Sequence, residues 1–108
     1  MILNIMGQMY ELRHSDLNEP VLATNDGVCQ VFDKNIILRK KEYMDGTTVQ
    51  GQNYRYDHVL RHELIHAICE ESGVKYGEDE ALVDWIAHMI PTLNTLFVLV
   101  KSETEQGD

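Results

Sequence analysis

An α+β fold is expected from three features of this sequence. The first forty residues hold short apolar and β-branched runs separated by turn residues. The second half holds two stretches with apolar side chains at helical spacing. A polar segment with two glycines, Lys40 to Asn53, divides the halves. The expected architecture is a small antiparallel sheet packed on one helix, with a second helix beside it.

Each element has its own warrant. Ile2 to Met6 and Met9 to Leu12 flank Gly7-Gln8, which reads as a hairpin. Asp16 to Asp26 contains Asn-Glu-Pro and Asn-Asp-Gly, so it reads as a loop with one short extended piece. Val28 to Phe32 and Ile36 to Arg39, around Asp33-Lys34-Asn35, predict a second hairpin. Lys40 to Asn53 reads as a mobile loop. Asn53 or Asp57 is placed to cap a helix running to about Ser72, with Gly73 as its left-handed stop. After a connection through Gly77, Leu82, Val83, Ile86, Met89 and Ile90 mark a second helix from Glu78 to about Ile90. Pro91 should kink or end it, because proline lacks the N–H and clashes with the preceding turn. Thr92 to Lys101 then reads as a continuation or a short third helix. Ser102 to Asp108 is polar and acidic and reads as a disordered tail. The chain of 108 residues is thus one domain, 1–101, followed by a tail, 102–108.

Composition narrows the function. Nine Lys and Arg against eighteen Asp and Glu leave a net charge of −9, which cannot drive binding to nucleic-acid phosphates or to an anionic membrane. Cys29 and Cys69 are too few for a disulfide scaffold and lack CxxC spacing, so both are expected as reduced, buried side chains. The N-terminal MILNIMGQMY has no basic segment or small-residue cleavage site, and the longest apolar run, Leu96 to Val100, is too short to span a bilayer. A cytoplasmic protein is the expectation.

The chemistry centres on His62-Glu63-Leu64-Ile65-His66, an HExxH pattern on the first helix. Residues i and i+4 stand one above the other on a helix face, so the two imidazoles can grip one tetrahedral zinc. Glu63, about 100° round the helix, can reach a water at the metal without ligating it and act as general base. The third ligand sets the class. One family of such enzymes needs a glycine at position 69 and a histidine at 72, where Cys69 and Ser72 stand. Glu80 and Asp84 share one face of the second helix. Glu80 can supply the third ligand, while Asp84 can accept a hydrogen bond from the outer nitrogen of a ligating histidine and fix its tautomer. Their alternative is that of most helix carboxylates, a solvated face.

Arg61-His62-Glu63-Leu64-Ile65-His66-Ala67-Ile68 and Glu78-Asp79-Glu80-Ala81-Leu82-Val83-Asp84-Trp85-Ile86-Ala87 together resemble the ImmA/IrrE and SprT-like small zinc metallopeptidases, in particular their short bacteriophage-encoded versions. Gly27-Val28-Cys29-Gln30 followed by Ile36-Ile37-Leu38 is similar to a strand pair in the same family. The resemblance reaches nearly to Pro91, and its two helical blocks are the specific part. It implies a gluzincin-type zinc peptidase acting on a host or phage protein or peptide. Against that pattern the chain is expected to be without the additional domains of repressor-cleaving members, and Ile65 stands where the wider family has glycine or serine.

Other candidates stay open at this level. His88 can replace Glu80 as third ligand, and Cys69 can close the site and make it structural. Tyr43, Tyr54, Tyr56, His58, Tyr76 and His88 are candidate donors to a tetrahedral oxyanion. Ile36 to Lys41 reads either as a strand that pairs with an extended substrate or as an edge strand protected by Arg39, Lys40 and Lys41. The function these features favour is zinc-dependent peptide hydrolysis through His62, His66, Glu80 and Glu63. The alternative is a non-catalytic zinc-binding interaction or inhibitor protein that keeps the fold.

Overall fold

The computed structural model describes residues 1–15 and 19–105. Four strands, β1 (Ile2–Ile5), β2 (Gln8–Ser15), β3 (Gly27–Gln30) and β4 (Asn35–Arg39), precede two long helices, α1 (Val49–Ser72) and α2 (Glu80–Glu105). The α+β class is as expected. The first hairpin turns at Met6-Gly7, where φ values of 52° and 92° give both central residues the positive φ of a type I′ turn. The second pairs β3 with β4, also antiparallel.

The sheet as a whole is not antiparallel. Its order is β1-β2-β4-β3, and β2 runs parallel to β4, with Leu12 opposite Ile36 and His14 opposite Leu38. The connection after Ser15 carries the chain past one strand position, lays β3 at the edge and returns β4 between β3 and β2. Residues 16–18 of that connection lie outside the described residues; the remainder holds a 3₁₀ turn, Pro20–Leu22, rather than an extended piece. The interior place of β4 explains its unbroken apolar run, because Ile36, Ile37 and Leu38 are all buried. Ile36 to Lys41 is therefore neither an edge strand nor open to a peptide; β3 holds the edge. Arg39 binds the loop before β3 through Asp26 (3.1 Å) and the carbonyls of Leu22 and Asn25.

Helix α1 lies between the sheet and α2 and is apolar towards both. Val59, Leu60, Leu64 and Ala67 join Tyr10, Leu12, Ile36 and Leu38 in the core against the sheet. Ile65 and Cys69 pack with Val83, Ala87 and Ile86 of α2. The helix starts earlier than the sequence predicts, because Thr48 rather than Asn53 or Asp57 is the cap: its hydroxyl accepts from the Gly51 N–H at 2.9 Å. The supposed mobile loop also contains a 3₁₀ turn, Lys41–Tyr43. Gly73 ends α1 with φ 76°, as expected. Near that end the buried Tyr10 hydroxyl donates to Glu71 at 2.5 Å, and Lys34 pairs with the same carboxylate. Lys34 and then Tyr10 hold the Glu71 carboxyl below its ordinary pKa.

Residues Glu78 and Asp79 precede α2, and Asp79 caps it by accepting from the Leu82 N–H at 3.1 Å. Pro91 does not end this helix. It continues to Glu105, so Ser102–Glu105, expected in an unstructured tail, form its last turn; residues 106–108 lie outside the described residues. Beyond Pro91 every side chain up to Thr104 is exposed, including Leu93, Leu96, Phe97, Val98, Leu99 and Val100. The apolar run is short, yet by length and composition the helix from Glu80 to Thr104 suffices to cross a membrane, contrary to the expectation from the run alone.

Candidate metal centre

The face of α1 turned towards the start of α2 brings the HExxH histidines to the first residue of that helix. His62 Nε2 and His66 Nε2 are 3.2 Å apart. Glu80 Oε2 lies 2.8 Å from His62 Nε2 and 3.2 Å from His66 Nε2. Ligand atoms around a tetrahedral zinc, with metal–nitrogen distances near 2.0–2.1 Å, stand about 3.3 Å apart. The three side chains thus fit one ion, through two imidazole nitrogens and one carboxylate oxygen. The helix geometry makes this arrangement local: capping by Asp79 sets Glu80 in the first turn of α2, beside the middle of α1.

Asp84 stands one turn further along. Its Oδ1 is 3.4 Å from His62 Nδ1, the nitrogen that faces away from Glu80. At that distance the carboxylate acts on the outer nitrogen electrostatically, favouring a proton there and leaving Nε2 for a metal. The same oxygen is 2.8 Å from His58 Nε2, and His58 is the first reason the Asp84 carboxyl sits below its ordinary pKa.

Glu63 faces the sheet side of α1 and is buried with 8% exposure. Burial raises its carboxyl pKa, while the imidazoles of His62 and His66 and the backbone amide of Cys29 oppose the rise. Its setting depends on Gly27. A Cβ there would meet Val59 Cγ1 at 2.7 Å and Glu63 Cγ at 3.1 Å, so only glycine lets β3 lie this close to α1. The importance of Gly27 showed in the sequence only through the family resemblance.

The candidates separate in space. Tyr43, Tyr54, His58 and His88 line the cleft that also exposes His62, a cavity of about 820 Å³. Tyr56 instead hydrogen-bonds His14 at 2.6 Å, across from β2. His88 does not join His62 and His66; it lies against His58, with ring centroids 4.1 Å apart. Cys69 is a buried core residue between the helices, and Cys29 is partly buried with its thiol pushed up to about 12 by desolvation. Both are free thiols; Cys69 is buried as expected, Cys29 is not fully so, and Cys69 is not part of the ligand group. Sequence reasoning missed the pairing of His58 with Asp84; the fixed four-residue step from His58 to His62 to His66 was its available signal. It also missed Asp26, which holds both Arg39 and Arg55 at the cleft wall.

No protein-family model, curated protein or solved structure matches this chain.

Proposed function

We propose that this protein is a zinc-dependent metallopeptidase, with His62, His66 and Glu80 as metal ligands, Glu63 as general base and Asp84 as the residue that orients His62. The observation that carries this reading is the convergence of His62 Nε2, His66 Nε2 and Glu80 Oε2 to within 3.2 Å of one another, next to a buried carboxylate on the same helix. Zinc, when bound, supplies Lewis acidity that lowers the pKa of water and polarises a carbonyl. Asp84 holds His62 in the tautomer whose Nε2 faces the ligand cluster. Glu63 takes a proton from the attacking water and returns it to the leaving amine nitrogen. The walls of β3 and α1 limit access of bulk water to that carboxylate.

Strand β3 indicates an extended peptide as the substrate class. This strand is the sheet edge, and Gly27, Val28 and Cys29 line a pocket together with His62, Glu63 and His66. An extended peptide can hydrogen-bond to such an edge and carry one of its carbonyls past the ligand cluster.

A second reading has one observation in its favour. The exposed apolar half of α2 is the kind of surface that partners cover, and a non-catalytic zinc-binding interaction or inhibitor protein would need it. Glu63→Gln separates the two. It keeps side-chain size and should leave zinc content and Tm unchanged. In a cleavage screen of host lysate, the peptidase reading expects products to fall at least ~10²-fold relative to wild type. An unchanged phenotype removes the peptidase reading and leaves the binding one.

A further inference from the structure

The ligand pattern repeats along the helix pair. His58, His62 and His66 follow at four-residue steps on α1; Glu80, Asp84 and His88 do the same on α2, and the contacts run in opposite order along the two helices. We propose that His58, Asp84 and His88 form a second divalent-metal site, one helical turn from the first, for a borderline transition ion such as zinc.

The donor atoms already converge. Asp84 Oδ1 is 2.8 Å from His58 Nε2, Asp84 Oδ2 is 3.8 Å from His88 Nε2, and one donor atom from each residue lies within 4.8 Å of the other two. Two imidazoles with one carboxylate are a common ligand set for zinc, cobalt and nickel. An ordinary salt-bridge cluster is a poorer account of the arrangement. Asp84 has one carboxylate but faces three imidazoles, and the His58 and His88 rings lie close together, centroids 4.1 Å apart and planes tilted by 32°. That closeness brings one ring nitrogen of each histidine to the two oxygens of the same carboxylate. His58 is half-buried, which fixes one donor. His88 has 53% of its side chain exposed and can close the remaining ångström by a small rotation. All three residues line the cleft, so the remaining coordination positions open into it. The wider separation of Asp84 Oδ2 and His88 Nε2, 3.8 Å against 2.8–3.2 Å between donors of the first site, makes this the weaker of the two sites.

Calorimetric titration of the full chain with Zn²⁺ alone tests the proposal, with Co²⁺ absorption as a second readout. Wild type should bind two ions, the second at least about tenfold more weakly than the first. His88→Ala and His58→Ala should each weaken the second ion by about tenfold or more while the first is retained. His66→Ala should do the reverse, which keeps failure of the catalytic site distinguishable from failure of this one. Melting curves of the metal-free variants establish that each is folded, and the exposure of His88 makes its variant the safest. One ion only, up to millimolar zinc, overturns the proposal. So does a second ion that neither substitution affects, or a single tight ion lost in His88→Ala, which would mean one mixed site.

Discussion

The two halves of α2 have the same secondary structure and opposite surroundings. From Glu80 to Ile90 the helix is anchored: Val83 and Ala87 are fully buried against α1, and Glu80, Asp84 and His88 face its histidines. From Pro91 to Thr104 it is a helix with no buried side chain, although half of its residues are apolar. Pro91 stands at the join. A proline inside a helix removes one hydrogen bond and crowds the preceding turn, a cost that is best tolerated where packing ends. The difference shows that helical form does not depend on burial here, whereas the position of the ligands does. Among the described residues, the candidate metal ligands on α2 all lie in the anchored half.

The largest expected effect tests the anchoring itself. Val83→Asp places a charge in the core between the helices and should cost more than about 3 kcal/mol, enough to unfold much of the protein. Leu96→Asp, in the free half, should change stability by less than about 0.5 kcal/mol. Chemical denaturation of both variants measures the contrast, and equal losses would mean that the free half is packed in solution.

Next in size is the ligand assignment. Glu80→Ala should lower affinity for the tight zinc by about 10²-fold or more, whereas His88→Ala leaves it near wild type. The reverse would give the chain a three-histidine site. Smaller again is the join. Pro91→Ala restores a backbone donor and should stabilise the protein by about 1–2 kcal/mol, read as a rise in Tm. No gain would place the end of the cooperative unit at or before Pro91.

The smallest effect lies away from α2 and serves as a reference for packing that owes nothing to metal. The Glu71 carboxyl pKa is lowered in the fold, so its contribution is present above the unfolded value near 4.3 and is lost as pH falls through the folded value. Melting of wild type and Glu71→Gln should therefore differ at pH 7 and converge as pH falls below the lowered folded value. A gap that persists in acid would assign the effect to shape rather than charge.

The sequence made some of this legible and hid the rest for physical reasons. Both hairpins could be read, because turn residues and β-branched runs are local signals. The parallel pairing of β2 with β4 could not, because nothing in either strand records which neighbour it takes after a long connection. The helix carrying His62 and His66 and its stop at Gly73 were visible. Its cap at Thr48 was obscured by glycine and polar residues that read as loop. Pro91 was overrated as a terminator, since proline kinks or ends a helix according to its surroundings. Spacing within each helix placed His62 with His66 and Glu80 with Asp84. The register between the helices, which sets His58 beside Asp84 and His88, depends on the turn through Gly77 and on packing at Val83 and Ala87.

The central claim is that the anchored half of α2 completes a zinc site with α1. Metal analysis of protein prepared with zinc and then desalted tests it most directly. The account predicts one zinc retained per chain, unchanged in Glu63→Gln and lost in His66→Ala. Folded wild-type protein that retains less than about a fifth of an equivalent would contradict it.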